Sequence, residues 1–197
     1  MSRITRFAVL AAALMSLFAV LSSSAGATTW HNRGGTSFTG TGGAGTLSVT
    51  GVQLRCAASD ATGTAPAFST SLTYVVTGTV AFTGCSIGIP LSIDCAYSLT
   101  VTNAAVNHIF SGNADATCDV RDTSGSKICH IEGSTPASYR NPETGLTAQL
   151  VLTTSTTLRM TNGDATHNCP LGAGEPAHLT QQTLSVTSSP APTIVRT

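Results

Sequence analysis

Leu91-Ser92-Ile93-Asp94-Cys95-Ala96-Tyr97-Ser98-Leu99-Thr100-Val101-Thr102 is the stretch that decides the fold. Leu91, Ile93, Cys95, Tyr97, Leu99 and Val101 occupy alternate positions, with Ser92, Asp94, Ser98, Thr100 and Thr102 between them. Side chains on a strand point to opposite faces in turn, so this run has one buried face and one wet face. The same period recurs at Val80 and Phe82 and at Leu146, Ala148, Leu150 and Leu152. Leu158 and Met160 resume it after Thr153-Thr154-Ser155-Thr156, which reads as a turn joining two antiparallel strands. Leu47 and Val49 are odd, whereas Val52, Leu54 and Cys56 are even, and the switch at Gly51 suits a β-bulge.

Turn residues punctuate these runs at Gly42-Gly43, Asp122-Thr123-Ser124-Gly125, Asn141-Pro142 and Asn162-Gly163. Beyond residue 27 no window of a dozen residues shows the three-and-four spacing of an amphipathic helix. Threonine and valine dominate instead, and both sit well on a pleated surface. The expectation is an all-β domain, an antiparallel β-sandwich stapled by disulfides. A sandwich is preferred to a barrel because large side chains are few and nothing in the sequence fixes closure.

Working outward, residues 1–27 read as a cleaved signal peptide. Arg3 and Arg6 form a basic start, Phe7 to Leu21 carry no charge, and Ala25-Gly26-Ala27 fits the signal-peptidase rule. The uncharged core is shorter than the roughly 20 residues of a membrane span. Residues 28–45 read as a loose N-terminal segment or an edge strand around Ser37-Phe38-Thr39, and 46–197 as the sandwich. Prolines 190 and 192 keep the end of the chain out of a central strand, leaving Thr193 to Val195 as a last edge.

The chain of 197 residues has nine acidic and nine basic side chains, and removing Arg3 and Arg6 leaves seven basic groups. So little charge cannot steer the chain onto nucleic acid or an anionic membrane. With 33 threonines and 22 serines, its surface must be solvated largely by hydroxyls.

Six cysteines, Cys56, Cys85, Cys95, Cys118, Cys129 and Cys169, all follow the leader. An even count in an exported chain reads as three disulfides, for which 15 pairings exist. Zinc would want close cysteine pairs, and none is present; histidine neighbours occur only at Cys129-His130 and His167-Asn168-Cys169.

The order of Leu54-Arg55-Cys56, Phe82-Thr83-Gly84-Cys85, Cys129-His130-Ile131-Glu132-Gly133 and Pro136-Ala137-Ser138-Tyr139-Arg140-Asn141-Pro142, ahead of a Leu-rich hairpin and Cys169, resembles a group of small exported proteins of high-GC actinobacteria. The resemblance implies export, a β-sandwich and disulfides, and it carries no activity or functional residue over. It makes Cys95 and Cys118 additions to a four-cysteine pattern, which pairs them with each other. Strand register gives the same pair independently: with a loop centred between Ala105 and His108, position 95 faces 118 and 97 faces 116. Cys56–Cys85 and Cys129–Cys169 would complete the set. The rival set joins Cys118 to Cys129, closing only a short loop, and Cys95 to Cys169; the choice rests on register, which a one-residue slip would break.

Candidate chemistry is sparse. Gly84-Cys85-Ser86-Ile87-Gly88 matches the nucleophile-elbow pattern, with Asp94 and His108 following in hydrolase order, but a strand follows where the elbow needs a helix. Asp119, Asp122, Ser124 and Ser126 suggest a calcium loop, yet their spacing departs from that motif and fits a hydrogen-bonded turn. His31, His108, His130, His167 and His178 lack the spacing of a metal face. Trp30 is placed in the loose N-terminus and Tyr97 inward. Tyr139 is the one speculative ligand contact, set against a structural tyrosine whose hydroxyl holds a loop. The functional expectation is a secreted, extracellular or cell-surface protein that is non-catalytic, binding, adhesive or structural, with no cofactor. Its ligand would be an extracellular protein or glycan, with no nucleic acid and no membrane span after cleavage. The alternative is a small secreted hydrolase or carbohydrate-binding module.

Overall fold

The structure, a computed structural model, describes residues 28–197 apart from 50, 104, 154, 164–168 and 181, and of 155–157 the backbone alone. The leader expected at 1–27 lies outside the described residues, as does His167.

The alternating stretch forms β8 (Pro90–Val101), flanked by β7 (Tyr74–Ser86) and β9 (Ile109–Arg121), with β10 (Lys127–Arg140) beyond β9. These four long strands make an antiparallel meander. Its register sets Cys95 opposite Cys118 and Tyr97 opposite Ala116. The odd residues of β8 are buried from Leu91 to Val101.

The remaining strands lie on four further tracks. β2 (Ser37–Gly42) and β3 (Gly45–Val49) are collinear, because the register that pairs Gly42 with Ser59 continues unbroken as Gly45 with Cys56. Their partners β4 (Val52–Cys56) and β5 (Ala58–Thr64) likewise keep one register along β7. β11 (Gln149–Leu152) and β12 (Ser155–Asn162) both run antiparallel to β10, and β13 (Pro176–Leu179) and β14 (Gln182–Val186) both run antiparallel to the β2–β3 track. Each track is hydrogen-bonded to the next in the chain, and the last returns to the first through β14–β2 and β13–β3. Twelve strands thus occupy eight tracks, and the antiparallel layers expected from the sequence are joined along both edges. The sandwich is closed into a barrel.

Closure changes the reading of several local signals. β2 is paired on both sides, by β5 and β14, so it is no edge strand, and no boundary falls between residues 45 and 46. The parity switch at Gly51 is a hairpin rather than a bulge: Val49 pairs directly with Val52, and Gly51 has φ +83°. β11 and β12 run in the same direction along β10, so they are not the antiparallel pair expected on either side of Thr153–Thr156. The register along β10 changes by two residues between them, and Thr153 donates its N–H to the Pro136 carbonyl.

One end of the barrel is capped by a three-stranded sheet in which β1 (Trp30–Asn32) lies between β6 (Phe68–Ser69) and β15 (Ile194–Arg196). Trp30, expected to be loose, is fully buried against Tyr74 and Phe110, with ring centroids 5.9 and 6.0 Å away. Asn141 clamps the cap by donating to the Ile194 carbonyl (2.7 Å) and accepting the Ile194 N–H (2.9 Å).

The outside explains the composition. Thr62 and Thr79 bring their hydroxyls to 3.0 Å, Thr64 and Thr77 to 3.2 Å, and Thr39 and Thr187 to 3.1 Å across neighbouring strands. Cross-strand threonine pairs stabilise a sheet modestly and wet its surface without charge.

All three tyrosines of the chain, Tyr74, Tyr97 and Tyr139, are buried. Burial pushes the Tyr74 phenol up to about 12 and pushes Tyr97 and Tyr139 up as well, the last also through Tyr74 and Tyr97. A raised folded pKa favours the protonated native state, so the stability is complete below the free-tyrosine value of about 10 and is lost as pH rises beyond it. Tyrosinate absorbance is therefore expected to stay flat past that value and then rise in one step with loss of the fold. A gradual rise centred near 10 with the fold intact would show that a tyrosine is exposed.

Candidate functional site

An eight-stranded barrel is just wide enough for side chains to fill it or to leave room for one small ligand. Here the inward positions decide which. Along β9 they run Phe110, Gly112, Ala114, Ala116, Cys118 and Val120, large at the ends and small at the waist. On β5 and β7 the waist carries Ala61, Gly63 and Gly78. Phe38 and the Tyr97 hydroxyl fill the space over Gly63 and Gly78, whereas Ala114 and Ala116 border an interior cavity of about 80 Å³ with an almost wholly apolar wall. Every track contributes to that wall, from Leu47 and Leu54 through Ile93 and Ala114 to Leu150 and Leu179. Trp30, Tyr74 and Phe110 fill the barrel at the capped end, and Val49, Val120 and Met160 fill it near the hairpin end.

Two disulfides brace the wall. Cys56–Cys85 joins the β4–β5 track to β7, and Cys95–Cys118 joins β8 to β9; Cys56, Cys95 and Cys118 all line the cavity. Cys129–Cys169 ties β10 to the connection between β12 and β13. No described cysteine is free, so the chain belongs to an oxidising compartment. No helix among the described residues is long and apolar enough to cross a membrane.

Tyr97 lines the cavity and is 7% exposed, and its hydroxyl has no hydrogen-bond partner. The oxygen lies over two glycines, 2.7 Å from where a Cβ on Gly78 would stand and 2.8 Å from one on Gly63. An unmatched buried hydroxyl costs about 1–3 kcal/mol. Thr135, also in the wall, instead donates its hydroxyl to the Thr153 carbonyl at 2.8 Å. Gln182 donates to the Gly43 carbonyl (3.1 Å) and to Ser59 Oγ (3.3 Å), leaving its Oε1 unmatched beside Gly45.

The residues singled out from the sequence are not brought together here. Ser86 ends β7 at the hairpin end, where its Oγ accepts the Gly88 N–H, whereas His108 lies beyond the far end of β8. Twelve strand residues at about 3.3 Å each separate them, so no triad with Asp94 forms. Asp122 Oδ1 accepts from the Ser124 and Ser126 backbones and from the Ser124 hydroxyl, which is a turn holding itself together. Tyr139 does not reach solvent: it is buried and donates to the Pro192 carbonyl at 2.8 Å, holding the cap. His31 packs beside Phe68, and His178 lies exposed on β13.

His130 has the one described acid–base partnership of a histidine. Its Nδ1 is 2.9 Å from Asp119 Oδ1, but Lys127 Nζ is 2.6 Å from the same oxygen and Arg121 is 3.2 Å from Oδ2. Burial raises the Asp119 pKa, and hydrogen bonds from Lys127 and His130, with their charges, outweigh it and hold the carboxyl below its ordinary value. This carboxylate is the hub of an ion-pair network on the outer face, not an orienting group behind a nucleophile in a cleft.

Comparison with family models, with curated proteins and with solved structures gave no match. The site reading rests on geometry alone.

Proposed function

We propose that this is an exported, non-catalytic binding protein that holds a small apolar molecule inside its barrel. The observation that supports it best is the cavity to which all eight tracks contribute wall residues, braced by two disulfides and lined almost entirely by hydrocarbon. A dry apolar cavity of about 150 Å³ binds benzene or xenon, and this one, at about half that volume, is sized for a smaller apolar guest such as a xenon atom. Rigid bracing lowers the ordering cost of binding. The signal-peptide pattern at 1–27 and the fully paired cysteines support export. The ion-paired Asp119 and the separation of Ser86 from His108 weigh against the hydrolase alternative.

Thermal unfolding under xenon tests the reading. A ligand that binds only the folded state at a hundred times its Kd adds about 2.7 kcal/mol. Ala114→Leu places a larger side chain in the cavity wall and is expected to abolish that stabilisation in a folded protein; Ala114→Val is the milder control should leucine overpack. Absence of any shift in the wild type, or an equal shift in a folded Ala114→Leu, would overturn the interior site.

A further inference from the structure

Independently of the interior site, we propose that an open cleft at the capped end of the barrel binds a small organic monocarboxylate. Arg140 and Arg196 hold the carboxylate, and Ile109, Leu146 and Val195 take the apolar body. Two tight turns border the cleft: Val106 and Ile109 bridge across Asn107-His108, and Glu143 and Leu146 bridge across Thr144-Gly145. Arg140 ends β10 opposite Ile109 of β9, and Arg196 ends β15 with its guanidinium over the Trp30 ring, 5.2 Å from the centroid. Both arginines are half-buried, and neither ion-pairs with a described carboxylate. A guanidinium so placed has already lost part of its water, and the two oxygens of a carboxylate match its planar fork.

Charge sets the class of ligand. Two arginines against the single carboxylate of Glu143 leave the cleft one positive charge, which suits a monoanion and sets Glu143 against a dianionic phosphate. Leu146 is exposed and Ile109 and Val195 are half-buried, so the cleft has an apolar side that an inorganic anion would not use. The turn at 106–109 adds an independent observation. Asn107 and His108 have φ +50° and +63°, left-handed conformations, whereas the 143–146 turn places Gly145 there at φ +78°. Histidine is strained in that region and glycine is not, and strain kept at a surface turn marks a side chain with a use. The His108 carbonyl accepts the Asn141 N–H at 3.0 Å, which fixes the turn, and its ring lines the cleft as a third donor.

The test titrates hexanoate, hexanamide and inorganic phosphate against the folded protein by calorimetry at low ionic strength. Hexanoate is expected to bind about tenfold more tightly than hexanamide, its neutral counterpart of the same length, and more tightly than phosphate. Arg140→Gln should weaken hexanoate about tenfold. Glu143→Gln, which removes the opposing charge, should tighten it about threefold, a gain that a merely structural glutamate would not give. No binding of hexanoate to the wild type, or equal binding of hexanamide, would overturn the site. Tighter binding of phosphate than of hexanoate would overturn the monocarboxylate assignment, and unchanged affinity in a folded Arg140→Gln protein would overturn the role of Arg140. Should Arg140→Gln not fold, Glu143→Gln decides alone: an affinity that stays the same or falls there would overturn the proposal. Each outcome leaves the interior site untouched, because xenon tests that separately.

Discussion

Trp30→Ala is expected to lower stability by about 3–5 kcal/mol, the usual range for removing a fully buried large aromatic. The ring is fully buried and meets Tyr74 and Phe110, and its Nε1 donates to the Ser71 carbonyl at 3.1 Å. The Arg196 guanidinium lies over the indole, 5.2 Å from the ring centroid. The cap that carries it is built from strands of only three, two and three residues. Ladders so short are not stable alone, so the indole anchors the sheet rather than the reverse. A loss of this size is a large fraction of the 5–15 kcal/mol typical of a whole domain. Urea unfolding measures it. A fall in midpoint at constant slope means the cap unfolds with the barrel, and a shallower slope means that it has detached in the native state. A change below about 1 kcal/mol would show that the cap is not part of the core. Trp30→Phe keeps the ring contacts and should retain most of the stability.

The sequence carried the strands well and their closure poorly, for a physical reason. Period two in β8 depends only on neighbours in the chain, so the inward set Leu91 to Val101 could be read directly. The Cys95–Cys118 pair followed from it once the loop was placed. Closure depends on β14 meeting β2, strands more than a hundred residues apart, and no local pattern encodes that contact. The Thr153–Thr156 stretch misled because threonine serves both turns and strands, and the deciding group, the Pro136 carbonyl, is distant in sequence. Trp30 looked loose because glycines and threonines surround it, although a lone large aromatic is seldom left in water.

The cavity had a signal that could have been found. Ala114 and Ala116 stand on one face of a strand between Phe110 and Val120, small residues where a filled core would want large ones. The Tyr97 hydroxyl had none, since whether a buried group is matched depends on which residues face it. Gly63 and Gly78 face it only because three strands place them there.

Replacing Cys129 and Cys169 together by alanine is expected to cost about 4 kcal/mol, more than removing either other disulfide. In the chain-entropy account the stabilisation grows with the loop that the bond closes, and the separations here are 40, 29 and 23 residues. That account alone separates the longest from the shortest by only about 0.5 kcal/mol. The native state widens that gap. Cys95 and Cys118 stand in the middle of a ladder paired on both sides, which holds β8 to β9 without the sulfurs. Cys169 lies in the connection between β12 and β13, where its N–H is held by the Asn162 side chain at 3.1 Å and its carbonyl by the Gly172 N–H at 3.1 Å. Two residues on, Leu171 is buried in the core. Losing the bond therefore frees the segment that brings Leu171 into place, whereas losing Cys95–Cys118 frees nothing. Urea midpoints of the Cys129→Ala/Cys169→Ala and Cys95→Ala/Cys118→Ala proteins decide between the two contributions. A gap of only about 0.5 kcal/mol would mean that unfolded-state entropy accounts for the whole difference, and a larger loss for the Cys95 pair would mean that the barrel waist, not the β12–β13 connection, depends most on its bond.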